Sequence, residues 1–225
     1  MPEIISVATG PDQKVSATVY PAAEKTHTGI TLILGHGAGA GQNSSFMVSF
    51  ATALAARGID TVTFNFLYME QGRRLPDPKD RLEACYRAVI EAVAQRTRGR
   101  LAIGGKSMGG RIATQVVAAG APDVGGLVLL GYPLHPPGKR EQLRAKHLAQ
   151  IKAPMLFVQG ARDVFGTPQE LRPTIKKLAA PTELFEVPGG DHSFKVLKRA
   201  GVSQEDTYKA ILDRIDQWLR ATLAL

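Results

Sequence analysis

The sequence predicts an α/β fold, a mostly parallel sheet with helices on both faces, and three observations carry that reading. Short apolar or β-branched runs recur along the chain and end near Gly or Pro, as strands buried on both faces do. Stretches with apolar residues at helical spacing separate them. The 225 residues suit one such domain, and no linker, repeat or low-complexity tract divides residues 1–225.

Lys14–Tyr20 reads as a more exposed strand at one end of the sheet, and Thr182–Val187 as its counterpart at the other. Between them, Ile30–Leu34, Thr61–Phe66, Leu101–Ile103, Gly126–Leu130 and Met155–Val158 are the buried parallel strands, which gives a sheet of about seven or eight strands. Phe46–Arg57 and Gly109–Ala119 are short helices. Asp77 and Pro78 supply an N-cap and a first-turn proline, after which Leu82, Cys85, Tyr86, Val89 and Val93 repeat at helical spacing. Near the C-terminus Ser203 and Asp206 form a capping box, followed by the apolar stripe Ile211, Ile215, Trp218 and Leu219.

Composition narrows the function classes. The net charge of +8 is spread along the chain and interleaved with acids, with no run of five like charges and only 6% aromatic residues. That is a solvated basic surface rather than a nucleic-acid footprint. No apolar run approaches the roughly eighteen residues a membrane span needs, and Met1–Val7 lacks the basic-then-apolar layout of a secretory leader. The one cysteine, Cys85, cannot form an internal disulfide, which fits a reducing cytoplasm; its place on an apolar helix face reads as packing. The expected location is therefore cytoplasmic.

The chemistry centres on Ser107, in Gly105–Gly109 with the pattern G-x-S-x-G. A strand precedes it and a helix follows, the setting of a nucleophile elbow, where a sharp turn lifts the serine hydroxyl above the sheet. Side chains at 105 and 109 would collide in such a turn, so glycine is required. A serine hydroxyl attacks only when a base takes its proton, and the base works better when an acid orients it. In this arrangement the chain order is serine, acid, histidine. His192 follows a strand in a Gly-rich loop, whereas His147 lies in a polar helical stretch; His192 is the expected base. Asp163, just past the Met155–Val158 strand, is the expected acid. Asp191 is the competitor, better suited to pinning the histidine loop through backbone hydrogen bonds.

Acyl transfer also needs donors for a developing oxyanion. The Met108 N–H is one expected donor, and the Gly-rich loop after Leu34 supplies the other, from Ala38 with Gly37 or Gly39 as alternatives. His36 is expected to hydrogen-bond that loop. Two lookalikes fail. Gly35, Gly37 and Ala40 fit a relaxed dinucleotide fingerprint, but Asp60 precedes its strand instead of ending it. Gly105-Lys106-Ser107 resembles the close of a phosphate loop, but Arg100 stands where that loop needs glycine. No metal-ligand spacing occurs, and no cofactor or metal is expected.

With these motifs in place the chain resembles the α/β-hydrolase superfamily. It is most similar to the small dienelactone-hydrolase-like predicted hydrolases, a group that resembles the hydrolase-like domain of a chromatin-complex subunit. The resemblance runs from about Lys14 to Leu223. It implies an eight-stranded sheet, a Ser107–Asp163–His192 triad and an oxyanion hole from Ala38 and Met108. Dienelactone hydrolases carry cysteine where this chain has Ser107, so their lactone substrate is not implied. The expectation is a serine esterase acting on a small or medium acyl ester, thioester or amide; the alternative is a catalytically silent binding or scaffold module on the same fold.

The connection after Gly126–Leu130 is too short for a large lid, so an open pocket is expected. Its rim would be formed by Tyr132, Leu134 and His135, with Leu67 and Tyr68, stiffened by Pro133, Pro136 and Pro137. Gly37, Gly39, Lys106, Tyr132 and His135 are the expected substrate contacts. If Arg73, Arg74, Lys106, Arg111, Lys139 and Arg140 converge around Ser107, an anionic ester is favoured. The expected partner is a small acyl molecule, neither membrane nor nucleic acid, and a homodimer stays open.

Overall fold

The computed structural model describes residues 1–97, 99–120, 124–197 and 201–223. Its centre is an eight-stranded sheet in the order β1-β2-β4-β3-β5-β6-β7-β8. The strands are β1 (Glu3–Gly10), β2 (Gln13–Tyr20), β3 (Ile30–Gly35), β4 (Asp60–Phe64), β5 (Arg100–Lys106), β6 (Gly126–Leu130), β7 (Met155–Gly160) and β8 (Thr182–Val187). From β4 to β8 all neighbours are parallel; β2 is antiparallel to both β1 and β4. The helices are α1 (Ser45–Ala55), α2 (Leu67–Glu70), α3 (Lys79–Ala94), α4 (Met108–Ala118), α5 (Pro168–Ile175) and α6 (Gln204–Leu223).

The period-2 alternation of the strands divides the core into two layers. Ile33, Ile103, Leu127, Leu129 and Phe157 face α3 and α4, where they meet Tyr86, Val89, Ile112 and Val116. Leu32, Leu34, Val128, Leu130 and Val158 face the other way onto Met47, Phe50 and Leu54 of α1 and Ile211, Ile215 and Trp218 of α6. A strand with apolar neighbours on both sides needs apolar residues at every position, which is why the central strands read as continuous runs.

The structure differs from the sequence reading at three elements. The sheet edge is β1, not β2: only Ile5 and Val7 point inward, too few for a visible alternation, while Ile4 stays exposed. Helix α3 starts at Lys79 with Pro78, not Asp77, at the N-cap position and no side-chain cap, while Asp77 Oδ1 pairs with the Arg73 guanidinium at 2.6 Å. Helix α5 is an addition to the expected elements, opened by a reciprocal capping box of Thr167 and Glu170 with Pro168 in the first turn.

A buried tyrosine ties α3 to the strand that leads to Ser107. The Tyr86 hydroxyl lies 2.6 Å from the Gly104 carbonyl oxygen and accepts from the Gly104 N–H at 3.2 Å.

Candidate active site

Ser107 stands between β5 and α4 with φ 51° and ψ −112°, a conformation L-residues avoid. Close packing holds it there. A Cβ on Gly105 would sit 2.3 Å from the Gly35 carbonyl oxygen, and one on Gly109 only 2.1 Å from the same atom. The Ser107 N–H donates to Leu130 O at 2.9 Å, and its carbonyl accepts from Arg111 N at 3.0 Å, which starts α4 directly from the turn.

Two other loops, each at the carboxyl end of a strand, bring in the acid and the imidazole. Asp163, after β7, is buried, with a side chain at 0% exposure. Its Oδ2 accepts from Gln159 Nε2 at 2.8 Å and its Oδ1 from the Phe165 N–H at 2.8 Å. His192, after β8, places Nδ1 2.7 Å from Asp163 Oδ2 and Nε2 2.8 Å from Ser107 Oγ. A carboxylate on Nδ1 selects the tautomer that carries its proton there, leaving the Nε2 lone pair to accept from the serine hydroxyl. In this geometry the imidazole can take up the Ser107 proton while Asp163 holds the ring.

The histidine loop is fixed from several sides. Asp191 Oδ1 accepts from the Ser193 and Lys195 N–H groups at 2.8 and 2.9 Å, the pinning role the sequence suggested for it. Phe194, at φ 61°, turns its ring into the core at 0% exposure. Phe165 lies against the imidazole at a ring separation of 4.3 Å. Arg162 joins the acid and histidine loops, donating from its N–H to Gly190 O and from Nε to Gly189 O, each at 2.8 Å.

Lys106, adjacent to the serine, donates from Nζ to the His192 carbonyl oxygen at 2.6 Å and lies 5.6 Å from the Phe194 ring centroid. Burial pulls its ammonium down to about 8, against the opposing pull of Asp163 and Asp191. Lys106 lines the cleft, but its charge is directed at the histidine loop.

Gly37 packs beside the serine, since a Cβ there would be 3.6 Å from Ser107 Cβ. Ala38 and Met108 both line the cleft. Met108 is the first residue of α4, and the Ala38 N–H makes no backbone hydrogen bond among the described residues. His36 holds the loop as expected: Nδ1 contacts Gly37 O at 2.8 Å and Nε2 accepts from Phe66 N at 3.1 Å. Burial lowers its imidazole to about 4, so it stays neutral. Gly39 makes a left-handed turn at φ 73° and does not line the cleft.

The cleft beside Ser107 has a volume of about 810 Å³. The expected rim does not form. Tyr132 and His135 are 1% and 2% exposed and contribute no wall. The Tyr132 N–H donates to Gln159 Oε1 at 2.9 Å and the His135 N–H to Phe165 O at 3.0 Å, so the segment is strapped to the end of β7 with its rings turned inward. Leu134, Leu67 and Tyr68 are buried as well. Phe46 and Met47 of α1 and Tyr208 of α6 form an apolar wall in their place. Of the six basic residues expected around Ser107, only Lys106 and Arg111 line the cleft; Lys79, Arg144 and Lys195 join them. Arg73 is held by Asp77 and Arg140 by Glu170. Gln159 was also missed, although a polar residue closing an apolar strand just before Gly160 was a readable sign.

Among the described residues no group of three or more His, Cys, Asp or Glu side chains could hold a metal ion, and no helix is long and apolar enough to cross a membrane.

The family model described as an alpha/beta hydrolase domain matches residues 28–220. The chain belongs to that family. Solved structures agree on the fold of this alpha/beta hydrolase. A dienelactone hydrolase from Anabaena variabilis is 20% identical, with 99% of this chain and 98% of that one covered at a TM-score of 0.78. A lid-less α/β serine hydrolase from Xanthomonas campestris is 21% identical, with 100% and 96% covered at 0.78. An α/β serine hydrolase homologue from Coxiella burnetii is 20% identical, with 99% and 97% covered at 0.73. Among the described residues the alpha/beta hydrolase likewise has no large lid, since β6 and β7 are joined only by the strapped segment and a single 3₁₀ turn, Lys146–Gln150.

Proposed function

We propose that this alpha/beta hydrolase is a serine hydrolase of esterase type, cleaving a small or medium acyl ester, thioester or amide. The observation that carries the reading is the unbroken relay from Ser107 Oγ to His192 Nε2 at 2.8 Å and from His192 Nδ1 to Asp163 Oδ2 at 2.7 Å. In the first half-reaction Ser107 Oγ bonds to the carbonyl carbon while its proton passes to His192. The carbonyl oxygen becomes an oxyanion that the Met108 and Ala38 N–H groups receive, each donor contributing about 3 kcal/mol of transition-state stabilisation. Collapse of that intermediate breaks the bond to the leaving group, which takes the proton from His192. Water then repeats the sequence on the acyl-serine, giving the free acid and restoring the serine. Asp163 stays ionised throughout and stabilises the imidazolium.

A fluorophosphonate probe tests this. It labels the wild-type protein covalently and spares Ser107→Ala, and the wild type hydrolyses chromogenic esters that the variant leaves intact. A wild type that neither takes the label nor turns over any ester would instead be a binding module on a hydrolase fold.

A further inference from the structure

Two arginines in the cleft have no anionic partner among the described residues. Arg111 lies one helical turn beyond Ser107, its Nε is buried without a hydrogen-bond partner, and no carboxylate lies within ion-pair distance of its guanidinium. Arg144 reaches the same cleft from the β6–β7 connection. Its main chain is clamped, with its N–H on Leu134 O and its carbonyl on the Tyr132 hydroxyl, both at 2.7 Å, so the exposed side chain leaves a fixed anchor. The two charges oppose each other: burial first and Arg144 second lower the Arg111 guanidinium, with Tyr132 and Glu83 acting in the other direction.

The acidic groups nearby are already paired and relieve this repulsion only in part. Glu83 is taken by Lys79 at 3.2 Å, and the buried Asp77 by Arg73 at 2.6 Å. Lys195 adds positive charge along the walls. Two like charges facing one cleft disfavour each other, and an oxyanion between them removes that cost through charge-assisted hydrogen bonds.

Resting on the serine hydrolase reading above, we infer that Arg111 and Arg144 form a subsite for an oxyanion, a carboxylate or phosphate, carried by the substrate away from its scissile carbonyl. The substrate is then an anionic acyl ester, thioester or amide, with its apolar part against Phe46 and Met47.

The test pairs chromogenic esters of equal chain length, one neutral and one ending in a carboxylate, with a phosphate-ended ester as a third arm. The wild type should prefer an anionic ester in kcat/KM by about tenfold, a preference that shrinks as salt is added, and the better anion identifies the chemistry. Arg111→Gln and Arg144→Gln should each lower the anionic-to-neutral ratio by about tenfold, mainly through KM, while Arg140→Gln, which removes one positive charge outside the cleft, leaves that ratio alone. Equal turnover of neutral and anionic esters, or variants that leave the ratio unchanged, would overturn the subsite but not the hydrolase reading. A second readout needs no turnover: succinate or inorganic phosphate should slow fluorophosphonate labelling of Ser107 in the wild type and not in Arg111→Gln. Labelling that is indifferent to both anions refutes the subsite; no labelling at all refutes the reading beneath it.

Discussion

Replacing Lys106 by methionine should change how the stability of the fold depends on pH. Burial lowers the Lys106 ammonium from 10.5 to about 8. Below pH 8 the folded and unfolded chains both carry the proton, and the folded one bears the full cost of keeping it. Between pH 8 and 10.5 the unfolded chain binds more protons than the folded one, so stability rises with pH through that window. The difference of roughly two to three pH units corresponds to about 3 kcal/mol. Methionine keeps the length of the side chain and removes the titration. Its loss of the hydrogen bond to the His192 carbonyl is a constant offset across the series. Urea denaturation of both proteins at several pH values supplies the difference in unfolding free energy. The wild type should gain about 3 kcal/mol relative to Lys106→Met across the window, or about 1 M in urea midpoint for a domain of this size. Parallel stability curves would refute the argument that Lys106 is held charged at a cost.

The other expectations concern the relay and the turn beneath it. Asp163→Asn retains the shape of the acid but loses its charge, and ester turnover should fall on the order of ten-thousandfold with the circular dichroism unchanged; a loss below tenfold would remove Asp163 from the relay. Gly109→Ala brings a Cβ to 2.1 Å from a backbone oxygen that cannot step aside, and should cost more than about 3 kcal/mol in thermal or chemical denaturation; a stable, active variant would show that the turn can relax.

How much of this was legible in the sequence follows from what each residue's surroundings demand. The central strands were plain because burial on both faces leaves no room for polar residues: Leu32, Ile33 and Leu34 are all 0% exposed yet point to opposite layers. Ser107, Asp163 and His192 could be named because each sits just past a strand in a loop with Gly or turn chemistry, so backbone demands and chemistry left the same mark. The edge strand β1 was not legible, since two inward side chains make no pattern. The cleft walls were not legible either. Tyr132 and His135 belong to an irregular segment whose direction is set by hydrogen bonds to Gln159 and Phe165, from a distant part of the chain. The same segment holds the main chain of Arg144 through Leu134 and Tyr132, so its path accounts both for the rim residues wrongly expected and for the cleft arginine that was missed.

The absence of a large lid has a kinetic consequence. Among the described residues nothing shuts over Ser107, so in the proposed reaction bulk solvent would reach the serine at every stage. Little discrimination can then come from a closing movement, and a substrate is chosen by how well it suits walls that already stand in place. Arrival and departure are not held back by a gate. An acylated serine formed as proposed would meet water from the moment it forms, which favours hydrolysis over transfer to another alcohol or amine.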